Sequence, residues 1–188
     1  NPTEIPFSLD MNLAQVTTWI PTSISNSTSI RGISSATKNQ MLNMFKMYNT
    51  NKLDKASRIA DLYIKWGTEF KIRADIAWAM MCHETNFLKF DGIVPANANN
   101  FCGLGATSPG VYLTFNTEEL GIIAHYAHLA WYVYPDHVNS YCSKNYDPRH
   151  SSSHNYNGDH TLNCLNGRWA PGSDYTYKII KFANEIYN

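Results

Sequence analysis

At 188 residues the chain has the length of one ordinary domain, enough to bury a real core and too short to leave a second domain much room. Charged residues make up 16% and sum to a net charge of zero, so the sequence carries neither a basic nucleic-acid-binding face nor an acidic tail. No apolar run reaches the roughly eighteen residues of a membrane span, and no Lys/Arg-led hydrophobic leader opens the chain, which starts at Asn1, as a processed protein or an excised domain would.

Residues 1–34 are rich in Pro, Ser, Thr and Asn without a sustained period, and read as an irregular N-terminal arm; residues 35–188 read as a single domain. From Ser35 the pattern becomes helical. Met41, Met44, Phe45 and Tyr48 share one helix face, and after a break at Asn49 to Asn51 a second helix places Ile59, Leu62, Tyr63, Trp66 and Phe70 together. A third helix is predicted over Ala74 to Phe90, apolar on nearly every face and therefore buried. A loop rich in Gly, Asn and Pro follows Gly92. Asn116 then starts a helix with Glu119 as its capping-box partner and Leu120, Ile123, Ala124, Ala127 and Trp131 as its core stripe, ending before Pro135. The last helix is predicted over Asp174 to Tyr187, with Asp174 as a candidate cap and Tyr175, Ile179, Phe182, Ala183 and Ile186 on one side. No alternation supports a large sheet, so the fold class is mainly α.

Within this frame Glu84 stands out as the only acid between Ile76 and Phe90. Burial disfavours its anion, and the negative end of the helix dipole pushes its pKa the same way. A carboxyl so placed can donate a proton near neutral pH.

Other chemistries fit less well. His83 and Glu84 suggest a zinc protease, but the second histidine ligand would fall at Phe87. His125 and His128 lie three apart on a helix, and His150, His154 and His160 lie in a stretch bracketed by Cys142 and Cys164, yet no compact Cys/His pair spacing recurs, so no metal is expected. Gly103, Gly105 and Gly110 lack the lysine and the preceding strand of a phosphate loop. Cys102 has no evident base beside it for a nucleophilic role. Four cysteines (Cys82, Cys102, Cys142, Cys164) allow three fully paired connectivities; a Cys142–Cys164 bridge would staple the irregular stretch, while Cys82 reads as a small core residue.

Four segments occur in a telling order: His83-Glu84-Thr85-Asn86-Phe87, then residues 99–107 (Asn99, Asn100, Phe101, Cys102, Gly103 and onward to Thr107), then residues 119–129 from Glu119 to Leu129, then residues 167–179 containing Arg168, Trp169 and Tyr175. Together they resemble the endo-β-N-acetylglucosaminidase domain of bacterial and phage cell-wall hydrolases, glycoside hydrolase family 73, from about Tyr63 to Tyr187. The resemblance implies a lysozyme-like α fold with a substrate cleft, no cofactor, a monomer, and cleavage of the β-1,4 bond between N-acetylglucosamine and N-acetylmuramic acid in peptidoglycan. Glu84 matches the family's general acid and Tyr175 a tyrosine close to it. Asn100, Phe101 and Gly103 match the cleft-floor turn, and Trp169 is a sugar-stacking candidate. It also implies a setting outside the cell or in the bacterial wall, or a phage-encoded enzyme acting there, with wall-binding domains elsewhere in a longer chain.

The sequence departs from many family members in one respect. Many members have a second carboxylate on a β-hairpin lobe after the segment that Asn99-Asn100-Phe101 matches, whereas Gly103 to Phe115 holds no acid, which implies an absent or reduced hairpin. Glycoside hydrolysis usually employs two carboxyls, whereas substrate-assisted routes need only the acid. Glu118, Glu119 and Asp91 are the candidate replacements, and the first two already have a sufficient role in the first turn of a helix. A lytic transglycosylase or muramidase on the same fold, a non-catalytic glycan-binding domain and a metal-stabilised domain built on the histidine stretch are the competing readings.

Overall fold

The computed structural model describes residues 23–151 and 155–188. The first 22 residues of the expected N-terminal arm, and His154, lie outside the described residues. Five α-helices are present among them, joined by irregular segments with isolated β-bridges and no sheet.

Helix α1 (Lys38–Lys46) begins at Thr37, whose hydroxyl accepts from the Gln40 N–H at 3.2 Å while the Gln40 side chain accepts from the Thr37 N–H at 2.9 Å. This reciprocal pair satisfies two otherwise orphaned donors of the first turn. Met41, Met44 and Phe45 are buried as their spacing requires. Helix α2 (Leu53–Phe70) buries Ile59, Tyr63, Trp66 and Phe70, leaves Leu62 half-buried, and stops at Lys71 in the left-handed conformation (φ 52°).

Helix α3 (Ala74–Thr85) is the central element, packed against α1, α2 and α5 and buried from Ala74 to Cys82. Its buried first-turn acid, Asp75, accepts from Arg73 Nη2 at 2.6 Å and from the Tyr187 hydroxyl at 2.6 Å, so a desolvated charge is fully paired and also faces the positive end of the helix. The predicted continuation to Phe90 is incorrect. Asn86, Phe87, Leu88 and Phe90 all have φ between 46° and 62°, a conformation that costs about 1–2 kcal/mol per non-glycine residue. Tertiary packing outweighs that cost: Phe87 stacks on Tyr48 at 4.2 Å and meets Phe182 edge-on at 5.0 Å. The Phe87 carbonyl accepts from Asn49 Nδ2 at 2.8 Å, and the Leu88 N–H donates to Thr85 Oγ1 at 2.9 Å. The apolar residues after Thr85 are thus core residues of a tight turn, and Glu84 is the penultimate residue of its helix.

The segment after this turn folds back over the end of α3. In line with an absent or reduced hairpin, a single antiparallel bridge, Ser108 with Val111, closes a turn through Pro109 and Gly110 (φ 79°). Helix α4 (Glu118–Val133) is capped by Thr117, not Asn116: the Thr117 hydroxyl accepts from the Leu120 N–H at 3.1 Å. Gly121 lets this helix touch the preceding loop, since a Cβ there would lie 1.8 Å from the Asn99 carbonyl oxygen. Helix α5 (Thr176–Glu185) is shorter than predicted, and Asp174 supplies its backbone carbonyl to Tyr177, with no side-chain cap.

The Cys142–Cys164 bridge that would staple the irregular stretch is not formed. All four cysteines are buried free thiols, each with its pKa raised by burial, Cys164 to about 11. The stretch they bracket is held instead by side-chain to backbone bonds, such as Asp159 Oδ1 accepting from the Thr161 N–H at 2.8 Å. No helix among the described residues is long and apolar enough to cross a membrane.

Candidate active site

Glu84 and Tyr175 come together because α5 packs along α3. The Tyr175 hydroxyl donates to Glu84 Oε1 at 2.5 Å. Glu84 is half-buried, with dense protein around its carboxyl and one side open to a cleft of about 170 Å³ lined by Phe90, Val94, Asn100, Gly103 and Ala106, among others. Burial raises its pKa above the ordinary glutamate value, while hydrogen bonds from Tyr175 and Trp169 pull it part of the way back. Burial, and then the charge and contact of Glu84, push the Tyr175 hydroxyl well above its ordinary value, so it stays a donor. The pair therefore offers a carboxyl that holds its proton to higher pH than a surface glutamate and a fixed donor for the anion left when that proton is given up.

The Gly103 backbone passes close beside this carboxyl. It adopts φ 69°, and a Cβ there would lie 3.1 Å from Glu84 Oε2, so glycine serves both the turn and the space beside the acid. Trp169 lies on the other side of Gly103, half-buried, with its ring 5.1 Å from His128 and 6.0 Å from His125. His83 stays half-buried with its ring edge-on to Tyr175 at 5.6 Å.

Two of the expected substrate contacts have other work. Phe101 is fully buried and packs against Phe90 at 6.2 Å, which removes it from substrate contact. Asn100 lines the cleft yet is buried, and its side chain is consumed by the loop: Nδ2 donates to the Leu104 carbonyl at 2.8 Å and the Leu113 carbonyl at 3.0 Å, and Oδ1 accepts from the Leu104 N–H at 2.9 Å. It shapes the turn that carries Gly103.

None of the candidate second carboxylates reaches Glu84. The start of α4 faces α2, so Glu118 pairs with Arg58 at 3.2 Å and Glu119 with Lys65 at 2.9 Å, Glu119 also accepting from Trp66 Nε1 at 2.9 Å. Glu119 opens onto a separate groove, with Trp66, Tyr141 and Tyr146. Lys65 and Trp66 lower its pKa, the opposite of what a proton donor needs. Asp91 sits between the lining residues Phe90 and Gly92 but is exposed, its carboxylate accepting from Asn86 Nδ2 at 2.8 Å. Glu84 is the sole carboxylate lining its cleft among the described residues.

The histidines of α4 are not paired for a metal. His125 Nδ1 is 2.9 Å from the Tyr63 hydroxyl, and burial drives its pKa down to about 3. His128 Nδ1 is 2.8 Å from the buried Asp147. No group of three or more His, Cys, Asp and Glu among the described residues could hold a metal ion. The His128–Asp147 pair was missed in the sequence because its members lie 19 positions apart, in a helix and an irregular loop.

A half-buried carboxyl at the end of a central helix, held by a tyrosine and open to a cleft, is the candidate site of this fold. Residues 60–188 match the Glucosaminidase family model, described as mannosyl-glycoprotein endo-beta-N-acetylglucosaminidase. The chain belongs to this family of glycoside hydrolases, which act on peptidoglycan and share a lysozyme-like, mainly α fold. It is also similar to an uncharacterized protein of Borreliella burgdorferi (strain ATCC 35210 / DSM 4680 / CIP 102532 / B31), 33% identical over 141 residues, which cover 72% of this chain and 66% of that protein. The chain thus spans somewhat under two thirds of that relative.

Proposed function

We propose that the protein is an endo-β-N-acetylglucosaminidase that cleaves the β-1,4 bond between N-acetylglucosamine and N-acetylmuramic acid, with Glu84 as general acid. The observation that carries this reading is the Glu84 carboxyl held by Tyr175 at 2.5 Å beside an open cleft, with burial raising its pKa. Glu84 gives its proton to the glycosidic oxygen as the bond to the anomeric carbon breaks. With no other carboxylate lining the cleft among the described residues, the carbonyl oxygen of the sugar's own 2-acetamido group attacks the anomeric carbon and forms an oxazolinium ion. Water then opens that ion and passes a proton to the Glu84 carboxylate, which restores the acid. Tyr175 stabilises the carboxylate between the two steps. Residues 35–188 act as one catalytic unit, as a monomer and outside the cell or at the bacterial wall, whether encoded by the bacterium or by a phage.

A single acid would equally serve a lytic transglycosylase, in which the muramic acid 6-hydroxyl replaces water. Analysis of the chain ends separates the readings: reducing-end N-acetylglucosamine supports the proposal, whereas anhydro-muramic ends indicate a transglycosylase and reducing-end muramic acid a muramidase. Binding of glycan strands without any new ends would leave only an adhesion domain.

A further inference from the structure

A second, smaller cavity of about 110 Å³ adjoins the Glu84 cleft across Gly103, which lines both. Its walls include Cys102, His128, Tyr132, Trp169 and two arginines, Arg149 and Arg168. Both guanidinium charges act on the Tyr132 hydroxyl, so they converge on one spot although they come from different loops. Neither has a carboxylate partner among the described residues. The nearby acid, Asp147, is already committed to His128 and to the Arg149 backbone N–H.

Arg168 is the more constrained of the two. Its guanidinium lies over the Tyr132 ring at 5.0 Å and Nη2 donates to the Asn155 carbonyl, but Nη1 is buried without a hydrogen-bond partner among the described residues. A buried donor left unmade is costly, and an unpaired cationic donor more so. Guanidinium groups match carboxylates in geometry and charge. The cavity is too small for a sugar ring with its substituents, and it suits a single carboxylate.

We infer that Arg149 and Arg168 form an anion subsite that receives a substrate carboxylate beside the scissile bond. The inference rests on the peptidoglycan reading above, and in that substrate the carboxylate belongs either to the peptide stem or to the lactyl group of an unsubstituted muramic acid. Trp169 would then link the two halves of the site, since it acts to lower the Glu84 pKa and also lines the arginine cavity.

The test compares kcat/KM on three substrates: glycan strands with peptide stems, strands stripped of stems so that the lactyl carboxylate is free, and either strand with its carboxylates converted to neutral amides. Wild type is expected to favour one of the carboxylate forms over its amide by about tenfold or more, the size of one charge-assisted hydrogen bond. Whichever form shows the preference identifies the source. Arg168→Gln and, independently, the exposed Arg149→Gln should bring that ratio to near one; a general loss of folding would lower both rates and leave the ratio unchanged. An unchanged ratio in both variants, or no preference in wild type, overturns the inference. If wild type cleaves none of the strands, the catalytic reading fails, and the same ratios measured as Kd on the intact protein decide the subsite by themselves.

Discussion

The Tyr175 hydroxyl donates to Glu84 Oε1 at 2.5 Å across 91 positions of sequence. This contact joins the C-terminus of α3 to the residue that opens α5, and it sets opposing influences on one carboxyl: burial raises the Glu84 pKa and the hydrogen bond lowers it.

Tyr175→Phe removes the lowering influence, so the Glu84 pKa should rise further. Because the acid works only while protonated, the alkaline limb of the pH–rate profile should move to higher pH. The rate should fall by roughly ten- to a hundredfold, in line with about 1.5–3 kcal/mol for a hydrogen bond to a charged group. A profile recorded from pH 4 to 9 on soluble glycan strands checks both effects.

Glu84→Gln should stabilise the fold near neutral pH. The folded-state pKa of Glu84 is raised, so the native state binds more protons than the unfolded one between the two values, and the wild type loses stability as pH rises through that window. The variant carries no such penalty. Its Tm should exceed that of wild type at pH 7, and the difference should shrink as the pH falls to the ordinary glutamate range.

His125 has the opposite sign of linkage. Its pKa is lowered to about 3 by burial, so the unfolded state takes up a proton as pH falls below about 6.5 while the native state does not. Stability fully present above that value should drain away between roughly pH 6.5 and 3, by up to a few kcal/mol. Thermal melts across this range should show the loss, and His125→Gln should flatten it even if its starting Tm is lower.

Asn100→Ala and Gly121→Ala should act on folding and not on substrate recognition. The first takes its donor from the part-buried Leu113 carbonyl and its acceptor from the buried Leu104 N–H, at about 1–3 kcal/mol for each group left unsatisfied. The second puts a methyl group 1.8 Å from the Asn99 oxygen, overpacking that should cost about 3 kcal/mol or more. Gly103→Ala differs, since its Cβ would lie 3.1 Å from Glu84 Oε2 in a left-handed turn. It should lower kcat as well as Tm. Denaturant titrations alongside kinetics separate the three.

The elements with clear helical periodicity were legible in the sequence: α1 and α2 follow their apolar stripes, and the burial of α3 follows from its lack of a polar face. Where α3 ends was not legible, because Phe87 and Leu88 continue the apolar pattern while their backbone turns left-handed, held by Tyr48, Asn49 and Thr85. The cap of α4 was misplaced by one residue because Asn116 and Thr117 are both good caps, and Glu119 is drawn from the capping box to Lys65 and Trp66. Glu84 was legible from its isolation in an apolar run. The meeting of Glu84 with Tyr175 entered only through resemblance to a family, and the roles of Asn100, Phe101 and Asp147 depend on long-range packing that no local pattern encodes.

The most direct test of Glu84 as the catalytic acid is mass spectrometry of purified peptidoglycan digested in parallel by wild type and by folded Glu84→Gln. Wild type should release fragments ending in reducing N-acetylglucosamine, and the variant should release them at least about a hundredfold more slowly, as expected for loss of a general acid. Release of the same fragments at the wild-type rate by Glu84→Gln would contradict that role.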